Sequence, residues 1–198
     1  MRFHRREAPP YFSNHQGYKP FLRRDFLARC AYCERTERYL GGEGAFEVEH
    51  FKPKAKFPNL IGVYENLYYV CRKCNAHKSE TWPSDDQFAR GIRFADPCAE
   101  DPYTEHLQER DTGSVDALTP CGVYSSRHIR LDRDELQIWR RQRAEARRDL
   151  PWLMAVAERL VRLISVTDES APEREEMANG LSAIKRRIEE SKLRFSID

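Results

Sequence analysis

Residues 30–78 read CAYCERTERYLGGEGAFEVEHFKPKAKFPNLIGVYENLYYVCRKCNAHK, and this stretch decides the fold. It contains two Cys-x-x-Cys pairs, Cys30/Cys33 and Cys71/Cys74. One such pair alone is also consistent with a redox site, but four thiolates favour a tetrahedral structural zinc site. The 37 residues between the pairs exceed the roughly 15–20 of a zinc ribbon. The sequence therefore predicts an insertion between the pairs that carries chemistry of its own.

The insertion has two segments with strand character. Residues 45–51 alternate partly between apolar and polar side chains, which predicts a first strand. Residues 67–70, LYYV, predict a second strand that leads into Cys71. A short helix is expected from Asn75, so the order of elements is strand, strand, helix.

The motif residues of this segment resemble those of the HNH endonucleases, the ββα-metal nucleases. The resemblance is carried by VEHFKPK at 48–54, by Asn66-Leu67, and by Cys71, Cys74, Asn75 and Lys78. It implies an α+β fold in which a ββα-metal core is stabilised by the four-cysteine zinc site, with a mostly helical C-terminal half. Glu49 stands where many members have Asp, and Asn75 where many have a second metal-binding His.

The resemblance also implies a role for each motif residue. His50 is expected to act as the general base, since histidine titrates near neutral pH. Glu49 and Asn75 are expected to bind one catalytic cation, and their oxygen donors favour Mg²⁺ or Mn²⁺ over zinc. Asn66 is expected to hold the loop near His50 through backbone contacts, although a simple turn role is the alternative.

Basic residues near and beyond the motif are candidates for phosphate contacts. Lys52 and Lys54 flank the site, and Lys78 ends the motif, although Lys78 is as well explained as a solvated helix lysine. Arg133, Arg140 and Arg147 recur every seven residues and so share one helix face. This stripe either follows phosphates, which we favour, or pairs with the acidic segment 83–120.

The outer part of the chain resembles a narrower group. Residues 94–107 and 129–136 are similar to HNH proteins of retron-associated and Septu-type anti-phage systems. In such systems the nuclease acts with an ATPase, so the resemblance implies an ATPase partner.

The chain is divided by composition into four predicted regions. Residues 1–20 form a basic extended arm, 21–82 the nuclease core, 83–122 an acidic connector, and 123–198 a helical region. The other predicted elements are a helix at 21–29, a hairpin at 106–118 with a turn at Thr112-Gly113, a capping box from Asp132 to Glu135, a kink or restart at Pro151, and a last helix near Pro172.

Composition and the N-terminus limit the class of protein. The 198 residues are 33% charged with a net charge of +2, and no apolar stretch is long enough for a membrane span. The N-terminus is basic without an apolar segment, so we expect no secretory signal and a cytoplasmic location. Cys98 and Cys121 are expected to be ordinary thiols, and His4, His15, His106 and His128 to be surface or structural residues.

These patterns predict a metal-dependent HNH endonuclease that hydrolyses phosphodiester bonds, with DNA favoured over RNA, in bacterial anti-phage defence. The predicted cofactors are structural Zn²⁺ and catalytic Mg²⁺ or Mn²⁺, and an oligomer is possible. Two alternatives stay open. One is a zinc-stabilised module that binds nucleic acid without cutting it, and the other is an adaptor that docks a partner protein.

Overall fold

A computed structural model describes residues 2–5, 9–195 and 197, and at its centre two antiparallel strands are followed by a helix. Strand β1 spans Phe46–His50 and strand β2 spans Leu67–Cys71. Phe46 lies opposite Cys71 and His50 lies opposite Leu67. Helix α3, Arg72–Lys78, begins directly after β2. This arrangement confirms the predicted ββα core, and each strand boundary lies within one residue of its prediction.

Aromatic side chains fill the interior around the two strands. Phe46 stacks on Tyr69 with ring centroids 4.7 Å apart, and Phe51 stacks on Tyr68 at 4.9 Å. Such rings bury large apolar areas, which suits a chain with so few aliphatic core positions. The N-terminal segment contributes as well, because Phe3 is 2% exposed and its N–H donates to the carbonyl of Pro97. The predicted arm is therefore packed on the core rather than extended from it.

Two short helices flank the first cysteine pair. Helix α1 spans Lys19–Asp25 and helix α2 spans Glu37–Leu40. The predicted helix at 21–29 is thus wrong at its C-terminal end. Leu27 and Ala28 both have φ of 53°, which is the left-handed region and ends a right-handed helix.

The acidic connector is built from short elements. They are α4, Asp85–Ala89, α5, Pro102–Glu105, and the hairpin of β3, Leu107–Glu109, with β4, Val115–Ala117. The hairpin lies where the sequence predicts it. Its turn requires Gly113, because φ is +82° there and a Cβ atom would lie 2.2 Å from the carbonyl oxygen of Gln137.

Three longer helices complete the chain: α6, Pro120–Ile129, α7, Asp134–Val166, and α8, Pro172–Phe195. Asp132 does not open α7 as predicted, because its carboxylate instead accepts a hydrogen bond from the Val115 N–H at 2.8 Å. Pro151 lies inside α7, which continues as one helix, so of the predicted kink or restart the restart does not occur. The predicted start of α8 at Pro172 is correct.

The chain divides into two compact units, residues 1–140 and 141–198. The division falls after the predicted boundary at 122/123 because α6 and the start of α7 are buried in the first unit. Leu131, Leu136 and Trp139 are each no more than 2% exposed. The second unit has its own small apolar core, formed by Leu150, Leu153, Ala157 and Ile188. Among the described residues, no helix has both the length and the apolar character of a membrane span.

Candidate active site and metal centre

The two Cys-x-x-Cys pairs come together in the first unit. The four Sγ atoms of Cys30, Cys33, Cys71 and Cys74 lie within 4.8 Å of one another, and all four residues are buried. Sγ of Cys33 is 3.9 Å from Sγ of Cys71. Tetrahedral zinc with Zn–S bonds of about 2.3 Å separates its sulfurs by about 3.8 Å. The cluster therefore has the donor set and the spacing to hold a metal ion such as zinc.

Two arginines beside the cluster, the buried Arg35 and the partly buried Arg133, test whether it is anionic. Arg133 Nη2 donates to Sγ of Cys74 at 3.3 Å. Arg35 is 3% exposed, and its Nε and Nη2 atoms have no hydrogen-bond partner among the described residues. Burial opposes the charge of Arg35, yet the Cys33 and Cys71 thiols beside it raise its pKa. Buried guanidinium groups need nearby negative charge. Four thiolates and one divalent cation together have a net charge of −2, which the positive charges of the two arginines offset. The surroundings therefore fit a Zn(Cys)₄ centre.

A second group of metal-binding residue types is already saturated. Glu100, His106 and Cys121 also bring their ligand atoms within 4.8 Å of one another. Arg93, however, binds both Glu100 oxygens at 2.6 and 2.8 Å. Burial would raise the pKa of Glu100, but these hydrogen bonds outweigh it and lower the pKa to about 2. Oε2 of Glu100 also lies 3.0 Å from His106 Nε2, so the carboxylate is engaged in a structural network.

An open cleft of about 710 Å³ lies beside β1 and along one side of α3. The polar side chains along it include His15, Glu47, His50, Lys54, Arg72 and Asn75. Four of them, Glu47, His50, Arg72 and Asn75, come from the ββα core, which fixes their relative positions. The cleft is therefore the place where the predicted His50 and Asn75 meet.

The ring of His50 is oriented by a backbone carbonyl. Its Nε2 lies 3.0 Å from the carbonyl oxygen of Ile61. A carbonyl oxygen only accepts hydrogen bonds, so Nε2 carries the proton and Nδ1 keeps its lone pair. A neutral imidazole with a fixed lone pair can accept a proton from water near neutral pH.

Asn75 contacts Glu47 rather than the predicted Glu49. Its Nδ2 donates to Oε2 of Glu47 at 2.7 Å, while Arg72 Nε lies 3.5 Å from the other oxygen of this carboxylate. The Glu47 side chain is 42% exposed and accessible from the cleft. A carboxylate and an amide in contact beside His50 offer oxygen donors of the kind that Mg²⁺ and Mn²⁺ prefer.

Glu49 is buried at the floor of the cleft and forms an ion pair. Its Oε1 accepts from Lys78 Nζ and its Oε2 accepts from the Tyr32 hydroxyl at 2.7 Å. Both side chains of the ion pair are almost completely buried, and Lys78 also donates to the carbonyl oxygen of His50. Lys78 is therefore neither a solvated helix lysine nor exposed to a phosphate. Metal binding by Glu49 would require its carboxylate to leave Lys78.

Asn66 connects the ends of the loop that follows β1. Its Oδ1 accepts from the Lys52 N–H at 2.8 Å, and its Nδ2 donates to the carbonyl oxygens of Lys52 and Leu60 at 3.1 and 3.3 Å. Ile61, whose carbonyl orients His50, directly follows Leu60. The amide of Asn66 thus stabilises the loop that holds the His50 ring.

The residues predicted to contact phosphates fall into two groups. Lys52 and Lys54 are exposed, and Lys54 borders the cleft. Arg147 is exposed in the second unit. Arg140 is 2% exposed and donates to the carbonyl oxygens of Gly113 and Leu131. Arg133, as described above, faces Cys74. Arg140 thus contacts the acidic segment 83–120, at Gly113 and also at Glu109, as the alternative predicts. The side-chain partners of Arg133, Cys74 and Glu135, lie outside that segment.

Glu47 and His15 are cleft residues that sequence analysis missed. Glu47 could have been found, because alternation along a strand puts Glu47 and Glu49 on the same face. His15 could not, because it comes from the N-terminal segment, 35 residues before His50, yet their ring centroids are 4.8 Å apart.

Comparison with known proteins agrees with this geometry. The chain is similar to the Septu protein PtuB of Bacillus thuringiensis, with 35% identity over 68 residues that cover 30% of this chain and 24% of that relative. The chain thus spans about a quarter of the length of the curated relative that it matches. No solved structure matches significantly. Residues 30–81 match the HNH endonuclease family model, which confirms the resemblance seen in the motif residues of this segment.

Proposed function

We propose that the chain is a metal-dependent endonuclease that hydrolyses phosphodiester bonds, with DNA favoured over RNA, as the effector nuclease of a bacterial anti-phage system. The observation that carries the proposal is the placement of His50. Its unprotonated nitrogen shares a cleft with the Glu47–Asn75 pair, and the carbonyl of Ile61 fixes its ring. A module that only binds nucleic acid has no need of this arrangement.

In the proposed reaction, Nδ1 of His50 accepts a proton from the water that attacks the scissile phosphorus. The bond from phosphorus to the leaving oxygen breaks as the new P–O bond forms. The Glu47 carboxylate and the Asn75 amide would hold a hard divalent cation, with Glu49 as the further candidate ligand. Such a cation supplies positive charge to the phosphate and the leaving oxygen.

The cleft offers basic side chains to a substrate beside its acidic ones. Glu47, Glu49 and Glu80 line it, but so do Lys54 and Arg72, and the exposed Lys52 lies on the adjoining loop. Side chains of this kind contact phosphates without reading the base sequence. We therefore expect nucleic-acid binding that weakens with salt and has little sequence preference of its own.

The test is cleavage of a supercoiled plasmid by the purified, zinc-loaded chain with Mg²⁺, Mn²⁺ or EDTA. We expect nicked circles with either cation and none with EDTA, since EDTA removes the cation from an exposed cleft. A matched reaction with single-stranded and duplex RNA tests the preference for DNA. DNA binding without cleavage by either cation would instead support the zinc-stabilised binding module.

We further propose that the second unit, residues 141–198, docks the ATPase partner implied by the similarity to Septu and retron-associated proteins. Several apolar side chains of its two helices are exposed, among them Trp152, Val166 and Leu193. Co-purification of the full chain and of residues 1–142 with the neighbouring ATPase tests this. We expect only the full chain to retain the ATPase, and equal retention by both would place the docking surface elsewhere.

A further inference from the structure

The N-terminal segment is packed so that it holds His15 at the cleft. Phe12 contacts the rings of Tyr18 and Phe21, with centroids 5.0 and 5.8 Å apart. Gly17 permits this packing, because a Cβ atom there would lie 2.7 Å from the Phe12 ring. Asn14 caps the short 3₁₀ turn His15–Tyr18 by accepting from the Gln16 N–H. The position of His15 is thus determined by a built structure and not by a loose tail.

His15 lies against the ring of His50. The two ring centroids are 4.8 Å apart and the ring planes meet at 63°, an edge-to-face arrangement. The other contact of the His50 side chain described above is the hydrogen bond from Nε2 to the Ile61 carbonyl. A single hydrogen bond fixes one atom of the ring but leaves rotation about that contact. A neighbouring ring that covers one side of the imidazole restricts this rotation. A general base needs this restriction, because its lone pair must keep a constant direction.

The surroundings of His15 favour the neutral form of its ring. Burial, then the neighbouring His50 and Lys54, lower the pKa of His15. A neutral His15 packs on His50 without charge repulsion, and its Nε2 lies 3.0 Å from the side-chain nitrogen of Gln16. His15 is therefore suited to pack against the base and not to replace it.

We propose that His15 is a positioning residue for the general base: its ring holds the imidazole of His50 in the orientation that directs Nδ1 into the cleft. This inference rests on the proposed function, in which His50 activates water. It makes the N-terminal segment part of the active site, a role that nothing in the local sequence around His15 indicates.

The kinetic test compares His15→Ala, His15→Phe and the control His4→Ala, which changes an exposed histidine of the same segment. We expect His15→Ala to lower kcat about tenfold with little change in KM, the upper range for one aromatic contact. His15→Phe keeps a ring without hydrogen-bonding atoms, so it should recover most of kcat. His4→Ala should match the wild type. Wild-type kcat in His15→Ala, or a Phe variant as slow as the Ala variant, would overturn the positioning role.

A second measurement does not depend on cleavage. The ¹⁵N shifts of the His50 ring in the zinc-loaded protein report its tautomer and its exchange between orientations. We expect one Nε2–H tautomer in the wild type and in His15→Phe, and averaged signals in His15→Ala. Unchanged His50 signals in His15→Ala would refute the inference even if the enzyme cuts DNA. Conversely, a wild type that cuts nothing would refute the proposed function, while these signals still decide whether His15 orients His50.

Discussion

The imidazole of His50 borders the cleft, and its Nε2 is hydrogen-bonded to the Ile61 carbonyl. We expect His50→Ala to lower the cleavage rate by about 10²–10⁴-fold, the usual contribution of a general base. Melting temperature and DNA affinity should change little, because the ring borders an open cleft. Plasmid nicking, thermal melting and filter binding measure the three quantities. Cleavage within tenfold of the wild type would assign the base to another residue.

Glu47 and Glu49 share a strand face, but Glu47 is half-exposed and Glu49 is buried. We therefore expect substitutions at the two positions to have different effects on stability and on cleavage. Glu49 is buried with Lys78, and removing one partner of a buried ion pair costs about 3–5 kcal/mol. We expect Glu49→Gln to lower the free energy of unfolding by about that amount in urea titrations. Glu47→Gln, at a half-exposed carboxylate, should change stability by less than about 0.5 kcal/mol.

Cleavage provides the complementary readout for this pair. Glu47→Gln should require more Mg²⁺ for half-maximal rate, because it removes a charged donor from the cleft. If Glu47→Gln needs no additional Mg²⁺ and stable preparations of Glu49→Gln do, then Glu49 is the ligand, as the resemblance implies.

At the scale of single residues, the sequence predicts a functional role where neighbouring positions in the chain are enough to indicate it. Four cysteines at paired spacing, and a histidine after a strand carboxylate, are recognisable without a structure. The role of an arginine cannot be recognised in this way, because the same seven-residue spacing is found on exposed and on buried helix faces. Arg133 lies just before α7 and Arg140 inside it, and their side chains contact Cys74 and the carbonyls of Gly113 and Leu131, respectively. Only tertiary structure reveals those partners.

The elements around the four cysteines are connected through Arg133. It donates to Cys74 and also to the carbonyls of Ile129 and Arg130, so it joins the thiol cluster to the end of α6. We expect Arg133→Met to release zinc about tenfold faster, in line with the usual effect of losing an outer partner of a metal site. Zinc transfer to a chromogenic chelator measures the rate.

The control for this prediction is Arg127→Met, which removes an exposed arginine from α6. It should release zinc at the wild-type rate. Elemental analysis of the wild type should show one zinc per chain. A folded chain without zinc, or equal release from Arg133→Met and Arg127→Met, would remove the basis for a charge-compensated Zn(Cys)₄ centre.

Element boundaries show where sequence patterns stop being sufficient. The strands and the β3–β4 hairpin are predicted well, because alternation and a glycine turn are local signals. The start of α7 is not predicted well. The Asp132 carboxylate could accept a hydrogen bond from the first turn of the helix or from a distant backbone N–H, and the tertiary contact with Val115 is the one that forms. Pro151 illustrates the same limit. Whether this proline interrupts the helix depends on the packing of the residues before and after it. Leu150 and Leu153 are both buried, and the helix continues through Pro151.

At the scale of the whole molecule, the division at 140/141 predicts which fragments fold. A chain ending at residue 131 loses Leu136 and Trp139, both essentially inaccessible, and with them Arg140, which binds Gly113 and Leu131. Loss of a buried Leu or Trp side chain costs about 2–5 kcal/mol each, against a total stability of about 5–15 kcal/mol. We therefore expect residues 1–131 to be unfolded or aggregated.

A chain ending at residue 142 keeps all of these contacts together with the four cysteines and the cleft. We expect it to bind one zinc, to melt cooperatively, and to nick plasmid within about threefold of the full chain, because the general base and its supports lie in unit 1. Circular dichroism, metal analysis and the nicking assay make the comparison. If residues 1–131 fold as well as residues 1–142, the start of α7 is dispensable and the first unit ends earlier. If residues 1–142 fold and bind zinc but do not cut, the second unit contributes to catalysis itself, and its role extends beyond docking a partner.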